Sequence, residues 1–296
     1  MKIIVTGSLG HVGKPLTEIL VNAGHNVTVI SSSSEKEAAI TDLGATPAIG
    51  SLHNADFLID TFTGADAVHC MVPPTYYHDP SLDPIDFYET IGRNYKEAIQ
   101  QAGVPKITHL SSFGAHLREG TGFIVGSHRV EQILNSLQGV EITHVRPTSF
   151  YYNFLSFIPV IKNSGNIYAN YGGKDIVRMV SPQDIAQAIA DEILSPSSSS
   201  IRYVASDERT GDDIAQVLGG AIGKPALKWI VISDEQMLQA LLKNGMPDHL
   251  AEGLTELNQA QRTGKLAEDY AKNKPALGEV KLEDFAEHFA QAYQGN

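Results

Sequence analysis

The amino-acid sequence predicts an α/β protein built on a doubly wound parallel sheet, and three observations support this prediction. Over the first two-thirds of the chain, short β-rich runs alternate with amphipathic helical stretches, which is the pattern of a parallel sheet covered by helices. A glycine-rich turn, VTGSLGHVGKP (5–15), follows the first of these runs. Beyond residue 146 the alternation changes, and aromatic side chains crowd into SFYYNFLSFIPV (149–160). We therefore expect a Rossmann-type domain over 1–150 and, over 151–296, a smaller α/β lobe with helices that return to the first domain.

The first βαβ unit follows directly from the pattern of residues. Residues 2–6 and 26–31 are β-rich runs and predict two strands. The helix between them has Pro15 in its first turn and stops at Gly24, which are the usual positions of these two residue types. Its apolar side chains recur at helical spacing, at Leu16, Ile19, Leu20 and Ala23.

The same reasoning locates the remaining elements. Further strands are predicted at 46–49, 67–72, 107–111, 142–145, 167–171, 177–180 and 228–231. Longer helices are predicted at 86–102, 127–137 and 182–194. SPSSSS (195–200) has the composition of a surface loop.

Composition and charge narrow the classes of function. The 296 residues are 42% hydrophobic and 19% charged, and no apolar run approaches the length of a membrane span, so we expect no membrane partner. The formal charge of −12, with scattered Lys and Arg, argues against direct nucleic-acid binding. A single cysteine, Cys70, permits no internal disulfide and no cysteine-rich zinc site. The first residues lack the pattern of a signal peptide, and we expect a cytoplasmic location.

The glycine turn has the features of a dinucleotide-binding loop. Gly7, Gly10 and Gly13 stand where a tight strand-to-helix turn lets the backbone approach a pyrophosphate at the start of a helix. A P-loop does not fit, because it requires glycine where Ser8 stands and Ser or Thr where Pro15 stands. A tight turn without a ligand is the remaining alternative.

The end of the second strand indicates which dinucleotide is bound. An acid at this point binds the ribose 2′-hydroxyl of NAD and repels the 2′-phosphate of NADP. The sequence instead has ISSSSEK (30–36), whose hydroxyls and lysine suit a phosphate. The stretch favours NADP. NAD is the alternative because Glu35 lies nearby, and a polar serine turn with no role in binding is a third interpretation.

Four stretches, taken in order, resemble the NmrA-like group of atypical short-chain dehydrogenase/reductases. They are TGSLGHVG (6–13), IGSLHNADFLIDTFTGADAV (49–68), THLSSFGA (108–115) and VRPTSFYYNFL (145–155). Similarity of order and spacing continues through VRMVSPQDIAQAIADEIL (177–194) and LEDFAEHFAQAY (282–293). The resemblance implies that residues 1–150 bind NAD(P) and that the smaller lobe binds the substrate.

The resemblance also implies a set of cofactor-binding residues. Those around the pyrophosphate are Gly7, Ser8, Leu9, Gly10, His11, Val12 and Gly13. Those beside the adenosine are Ser31, Ser32, Ser33, Ser51 and Leu52, with Ser51 in place of the family's usual aspartate. Those beside the nicotinamide and its ribose are Met71, Val72, Pro73, Ser111, Ser112 and Phe113. Ligands lie beyond the carboxyl ends of the strands in such sheets, so we expect these strand tips in the site.

The residues that usually perform catalysis in this group are absent. Short-chain dehydrogenases carry Tyr-x-x-x-Lys after the serine strand, and the lysine lowers the pKa of the tyrosine. In GTGFIVGSHRVEQIL (120–134), Phe123 stands at the tyrosine position and Ser127 at the lysine position, and neither can do this work. His128 is a candidate substitute because imidazole titrates near neutral pH, and a packing histidine is the alternative. The catalytic residues are therefore left unassigned.

We predict that the substrate is small and apolar or aromatic and that aromatic side chains contact it. The predicted substrate-binding residues are Phe113, His128, Tyr151 and Tyr152, and further rim candidates are Tyr76, Tyr77 and His78. The aromatic cluster at 150–157 either covers a flat substrate or forms core at the junction of the lobes. His109 and His144 lie inside strands and are predicted to be structural, and no metal site is predicted at His69, Cys70 and His78.

Two functions are compatible with these residues. The first is an NADP(H)-dependent oxidoreductase that transfers hydride to a quinone-like or conjugated carbonyl acceptor, for which stacking and orientation matter more than a dedicated proton donor. The second is a non-catalytic NADP(H) sensor that regulates a protein partner. An epimerase or reductase that uses His128 or Tyr152 as a replacement acid is a third alternative.

Overall fold

The computed structural model describes residues 1–74, 79, 81–197 and 199–295. Within these residues the strands are β1 (Lys2–Val5), β2 (Asn26–Ser31), β3 (Thr46–Ile49), β4 (Ala67–Met71), β5 (Lys106–Leu110), β6 (Glu141–Pro147), β7 (Ser149–Phe150), β8 (Ile167–Ala169), β9 (Ile176–Val180), β10 (Ile201–Val204), β11 (Asp207–Thr210) and β12 (Trp229–Val231). The helices are α1 (Gly13–Asn22), α2 (Glu37–Asp42), α3 (Ala55–Phe62), α4 (Pro84–Ala102), α5 (Ile124–Leu134), α6 (Ile158–Ser164), α7 (Pro182–Leu194), α8 (Gly211–Ala221), α9 (Asp234–Lys243), α10 (Asp248–Arg262), α11 (Ala267–Tyr270) and α12 (Leu282–Gln294). Tyr76, Tyr77 and His78 lie outside the described residues.

The largest sheet has seven parallel strands in the order β10-β6-β5-β4-β1-β2-β3. Within this sheet, β1 pairs with β2 on one side and with β4 on the other, so that Val5 lies opposite both Val29 and His69. The strand order reverses at this point, and in doubly wound sheets the ligand lies beyond the carboxyl ends of the strands there. This sheet confirms the predicted fold class.

The strands β1 (KIIV) and β4 (AVHCM) are mostly apolar, as expected where helices cover both faces of a parallel sheet. On one face, Ile4 and Val68 share a buried cluster with Phe62 of α3 and with Tyr95 and Ile99 of α4. An apolar side chain of this size contributes about 1.5–3 kcal/mol when it leaves water completely. This packing holds the strand tips that surround the candidate site.

The contacts of the chain divide it into two compact units. The first comprises Met1–Ala115, Val125–Arg146 and Ile185–Arg202, and the second comprises the rest, at His116–Ile124, Pro147–Asp184 and Tyr203–Asn296. The units interleave along the sequence, since most of α7 returns to the first of them. The division at residue 150 stays a prediction about domains.

The second unit has its own aromatic core. A three-stranded sheet, β11-β9-β7, and a two-stranded sheet, β12-β8, contribute to it. Phe154 contacts Trp229 edge-on at 6.3 Å between ring centroids and also contacts Phe285, which stacks on Tyr151 at 5.5 Å. Much of SFYYNFLSFIPV is therefore core.

Some elements differ from the pattern in the sequence. The helix α1 begins at Gly13 and has Pro15 in its first turn as predicted, whereas α5 covers Ile124–Leu134 where the sequence predicts 127–137. Short strands at β10 and β11 have no counterpart in the sequence prediction, because each has only four residues and gains its hydrogen bonds from distant strands. Among the described residues, no helix is both long enough and apolar enough to cross a membrane.

Candidate dinucleotide site

The glycine loop leaves no room for side chains at two of its glycines. Gly7 has a φ of +90°, and a Cβ at this residue would lie 2.6 Å from Cγ of Met71. A Cβ at Gly13 would lie 2.2 Å from the carbonyl oxygen of Ser8, and one at Gly10 would lie 3.3 Å from the carbonyl oxygen of Gly7. The loop therefore folds tightly on itself between β1 and α1, as the glycine spacing predicts.

The start of α1 is suited to an anion. Among the described residues, no side chain hydrogen-bonds to cap this helix, and its first turn contains no acid. Unshared N–H groups and the helix dipole together favour a negative group at a helix N-terminus. Gly10 and His11 are exposed there, whereas Val12 is buried beneath them. The close-packed glycines and the uncapped helix both fit the pyrophosphate of a dinucleotide.

Ser8 connects this loop to the neighbouring strand β2. It has a φ of +56° and is the one non-glycine residue in the described part of the chain with a positive φ. Its N–H donates to the carbonyl oxygen of Ile30 at 3.0 Å, and its hydroxyl donates to Oγ of Ser31 at 3.0 Å. Two hydrogen bonds to consecutive residues of β2 thus hold a backbone conformation that costs an L-residue about 1–2 kcal/mol.

The tip of β4 is held from both sides by hydroxyl groups. The N–H of Met71 donates to Oγ1 of Thr6 at 2.8 Å, and its carbonyl oxygen accepts from the hydroxyl of Tyr95 at 2.6 Å. Burial raises the pKa of Tyr95 well above its usual value, so this phenol stays protonated and acts as a donor. Met71 is thereby held against Gly7. Val72 is buried, and Pro73 is half-buried.

The predicted adenosine-side residues differ in exposure. Ser31 is only 3% exposed, whereas Ser32 is exposed and Ser33 is half-buried. Ser51 is exposed, and its hydroxyl accepts from the N–H of His53 at 3.2 Å. The carbonyl oxygen of the half-buried Leu52 accepts from the Asn94 amide at 2.9 Å. Ser31 is the last residue of β2, Ser32 and Ser33 follow it, and Ser51 and Leu52 follow β3.

A buried ion pair lies beside the end of β5. Arg146 donates through Nε to Oε1 of Glu131 at 2.9 Å and through Nη2 to Oε2 at 2.6 Å. The Ser111 hydroxyl donates to the same Oε1 at 2.5 Å. Glu131 is 2% exposed and Arg146 is 4% exposed, so the two charges depend on one another for compensation. With its proton given to Glu131, Ser111 can offer only lone pairs to any further group. Next to it, Ser112 is half-buried and Phe113 is buried.

The two positions without the usual catalytic side chains lie in different units. Phe123 belongs to the second unit, where a Cβ added at Gly253 of α10 would lie 3.3 Å from its ring. Ser127 is buried in the first unit. His128 is also buried there, and its Nδ1 lies 2.8 Å from the carbonyl oxygen of Ala115. Because a carbonyl only accepts, Nδ1 carries a proton, and Nε2 is the second polar atom of the ring.

Two of the predicted aromatic contacts of the substrate, Tyr151 and Tyr152, belong to the second unit, whereas Phe113 belongs to the first. Tyr151 is buried against Phe285, and its hydroxyl donates to the carbonyl oxygen of Val280 at 3.1 Å. Burial raises the pKa of Tyr151 far above its usual value, which argues against a role as a proton donor or acceptor. Tyr152 is half-buried and stacks on Phe150 at 5.0 Å, so it is the more accessible of the two tyrosines.

Two strand histidines form a buried pair. Nδ1 of His109 lies 3.1 Å from Nδ1 of His144, whose Nε2 lies 3.1 Å from Oδ1 of Asn135. Burial is the main cause that lowers the pKa of both histidines. They are therefore neutral packing residues in β5 and β6. Among the described residues, no group of three His, Cys, Asp or Glu side chains could hold a metal ion.

The sequence model of the NmrA-like family matches residues 1–289. This chain belongs to the NmrA-like family. The resemblance carried by the glycine loop and the three later stretches is confirmed.

Curated relatives of this NmrA-like protein include two reductases. It is 25% identical over 260 residues to an NAD(P)H azoreductase from Xenophilus azovorans, which covers 86% of this chain and 85% of that protein. It is 26% identical over 267 residues to a (4-alkanoyl-5-oxo-2,5-dihydrofuran-3-yl)methyl phosphate reductase from Streptomyces griseus, which covers 90% and 89%. Both of these relatives are named as reductases, one of them for NAD(P)H.

Solved structures similar to the NmrA-like protein have the same fold. An NADPH-dependent quinone oxidoreductase from Escherichia coli, complexed with NADPH, superposes with a TM-score of 0.81 at 20% identity and covers 97% of this chain and 99% of that one. A triphenylmethane reductase from Citrobacter sp. superposes with a TM-score of 0.80 at 21% identity and covers 98% and 100%. At these identities the likeness concerns the fold.

Several residues that shape the site of this NmrA-like protein escaped sequence reasoning. Tyr95 lies on the apolar stripe of α4, four residues after Ile91 and four before Ile99, so the pattern shows only a core position. Glu131 and Arg146 lie on α5 and β6, and their pairing depends on how these elements pack. A charged residue on the apolar face of a predicted helix was the one available signal for Glu131.

Proposed function

We propose that this NmrA-like protein is an NADP(H)-dependent oxidoreductase that transfers hydride to a quinone-like or conjugated carbonyl acceptor without a Tyr-Lys pair. One observation carries the proposal: the glycine loop is shaped for a pyrophosphate, while positions 123 and 127 bear no ionisable group. The chain thus has the features needed to hold a redox cofactor and lacks the pair that serves ordinary alcohol and ketone chemistry.

The class of acceptor follows from what the chain lacks. When bound, the dinucleotide supplies a hydride from its reduced nicotinamide ring. Phe123 and Ser127 cannot protonate an oxyanion, and the Ser111 proton is given to Glu131. A conjugated acceptor spreads the incoming charge over its own atoms and can take its proton from water. The names of the azoreductase, quinone oxidoreductase and triphenylmethane reductase support this class.

The loop after β2 supports NADP over NAD. Ser32, Ser34 and Lys36 are exposed there and offer hydroxyl and ammonium donors to a 2′-phosphate. No acid follows β2 directly, where the NAD ribose would need one. Glu35 is also exposed, and we expect it to point away from the phosphate.

On the substrate side, His128 is the strongest candidate for a polar contact. Its Nδ1–H is fixed by the Ala115 carbonyl, so the ring has a defined orientation with Nε2 as its second polar atom. A ring oriented in this way can accept a hydrogen bond or, when protonated, donate one. Phe113, which belongs to the same unit as His128, is the aromatic side chain that we expect a flat acceptor to contact.

Steady-state kinetics test the proposal. The purified protein is mixed with NADPH or NADH and a panel that comprises a benzoquinone, menadione, an azo dye, a triphenylmethane dye and an enal, and the loss of reduced nicotinamide absorbance is followed. We expect turnover with at least one conjugated acceptor and a higher kcat/KM with NADPH than with NADH.

Cofactor binding without turnover on any acceptor would contradict the proposal. The non-catalytic sensor would then be favoured, and its signature is a change in oligomeric state or in captured protein partners when NADPH is added. Identical behaviour with and without NADPH would count against the sensor as well.

A further inference from the structure

We propose that Ser31 is a positioning residue for the dinucleotide and does not itself bind the cofactor. Its hydroxyl joins Ser8 of the glycine loop to Ser33 of the loop after β2, so that one buried group sets the geometry at both the pyrophosphate end and the adenosine end. This inference rests on the proposed binding of NADP(H).

The hydrogen-bonding capacity of Ser31 is fully used within the protein. A serine hydroxyl has one donor and two acceptor sites. Oγ of Ser31 accepts from the Ser8 hydroxyl at 3.0 Å and from the Ser33 N–H at 3.2 Å, and it donates to the Ser33 carbonyl oxygen at 3.2 Å. No site is left for a ribose hydroxyl or a phosphate oxygen, and the side chain is almost completely buried.

The residue that Ser31 holds is the strained one. Ser8 is in the left-handed region without being glycine, and its carbonyl oxygen is packed closely against Gly13, at the start of α1. The Ser8 N–H is held by β2 through Ile30, and Ser31 supplies the second restraint through the side chain. Without that restraint, Ser8 can relax, and the loop loses the conformation that directs its N–H groups.

The neighbouring residues have the opposite properties. Ser32 and Lys36 are exposed, so their donors are available to a 2′-phosphate, which NADPH has and NADH lacks. A direct phosphate ligand changes the preference for NADPH over NADH. A residue that positions the whole loop changes the binding of both dinucleotides by the same factor, because both carry the pyrophosphate.

Binding measurements separate these roles. The dissociation constants of NADPH and NADH are measured by calorimetry for the wild type and for Ser31→Ala, Ser8→Ala, Ser32→Ala, Lys36→Ala and the Ser8→Ala/Ser31→Ala double variant. We expect Ser31→Ala to weaken both dinucleotides about 10-fold, the scale of one lost hydrogen bond with an unsatisfied partner. Ser32→Ala and Lys36→Ala should lower the preference for NADPH.

Two further results distinguish positioning from a general loss of structure. The effects of Ser8→Ala and Ser31→Ala should be non-additive, because either change breaks the same hydrogen bond. Binding is measured well below the melting temperature of each variant, and Ser164→Ala, on the exposed end of α6, is the matched serine-to-alanine control. Ser8 is only half-buried, so Ser8→Ala tests the same bond should Ser31→Ala fail to fold.

Three outcomes would overturn the inference. A selective loss of NADPH affinity in Ser31→Ala would make Ser31 a direct phosphate ligand. Unchanged affinity for both dinucleotides, or additive effects of Ser8→Ala and Ser31→Ala, would remove the positioning role while leaving the proposed function intact. A wild-type protein that binds neither dinucleotide would instead refute the proposed function, and this inference with it.

Discussion

The carboxyl ends of β1 and β5 differ in the polar groups that surround them. At β1, the site is made of backbone: small residues at positions 7 and 13 bring main-chain groups close together at the start of α1. At β5, it is made of side chains: Ser111, Glu131 and Arg146 form a buried network in which each polar group has a partner. The end of β1 leads into the N-terminus of α1, which suits an anion. Beside the end of β5, the charged side chains already pair with one another.

This difference has a functional meaning. A loop that presents backbone N–H groups suits any ligand with a pyrophosphate, so this loop supports the proposed binding of a dinucleotide. Chemistry on a substrate needs side chains with free protons or charges, and at β5 the strongest charges are committed to each other. This difference agrees with the proposed function, in which the cofactor and the acceptor carry the reactive groups.

The largest effect on cofactor binding is expected from a side chain added inside the close-packed glycine loop. In Gly13→Ala, the new methyl group would overlap the Ser8 carbonyl oxygen, so the loop or the start of α1 must move. We expect NADPH affinity to fall by about 100-fold or more, equivalent to about 2.7 kcal/mol or more of binding free energy. Titration calorimetry measures this directly.

A matched glycine serves as the control for this prediction. Gly220 lies in α8, and a Cβ added there meets nothing within 4 Å. Gly220→Ala should leave the dissociation constant unchanged and raise the free energy of unfolding by about 0.5–1 kcal/mol. If Gly13→Ala binds NADPH as tightly as Gly220→Ala does, the close packing of the glycine loop is not required for NADPH binding.

The largest effect on the free energy of unfolding is expected from the side-chain network at β5. Glu131→Gln removes the carboxylate charge that accepts two hydrogen bonds from the buried guanidinium of Arg146, and removing one partner of a buried ion pair is expected to cost about 3–5 kcal/mol in the free energy of unfolding. Denaturant titration measures it. The exposed pair of Lys14 and Glu18, at 3.9 Å, is the control, and Glu18→Gln should cost no more than about 0.5 kcal/mol.

A second variant tests whether the lost compensation is the cause. Adding Arg146→Met to Glu131→Gln also removes the buried guanidinium charge, and part of the lost stability should return. Destabilisation by Glu131→Gln of less than about 1 kcal/mol, or no recovery in the double variant, would mean that the two charges are not mutually dependent.

The same contrast explains how far the sequence could be interpreted. The alternation of strands and helices and the glycines at 5–15 are local patterns. The fold and the tight glycine loop were therefore predictable from the spacing of residues along the sequence. The Ser111–Glu131–Arg146 network joins residues from β5, α5 and β6, and no spacing along the chain encodes its pairing. Ser31 shows the same limit of sequence-based prediction within the cofactor site. The residue type is evident from the sequence, but its burial and its hydrogen bond with Ser8 arise only on folding.

A smaller effect is expected from a histidine in the strand between the two regions. Burial lowers the pKa of His69 in β4 to about 3, while its Nδ1 lies 2.9 Å from Oγ1 of Thr108. An unfolded histidine titrates near 6.5, so between pH 6.5 and about 3 the unfolded chain binds a proton that the folded chain does not. The contribution of His69 is therefore fully present above pH 6.5 and is lost as the pH falls, at up to about 1.4 kcal/mol per pH unit.

Measuring the free energy of unfolding from pH 7 to pH 5 tests this. In His69→Gln, the pH dependence should become shallower by roughly one proton, or about 2 kcal/mol over the fall from the unfolded pKa to pH 5. The exposed His53 provides the control variant His53→Gln. An unchanged slope in His69→Gln would show that His69 does not stay neutral in the folded chain.

The smallest effect is expected at the position of the missing tyrosine. Phe123→Tyr restores a phenol, but Ser127 provides no cation to lower its pKa, so the hydroxyl stays protonated near neutral pH with a pKa of about 10. If the acceptor takes its proton from water, kcat/KM for the best quinone should change by less than about threefold, or about 0.6 kcal/mol in the barrier. Stopped-flow kinetics of the reduced nicotinamide measure this step. An increase of tenfold or more would show that protonation limits the reaction, and the proposed independence of the chemistry from a protein acid would then be wrong.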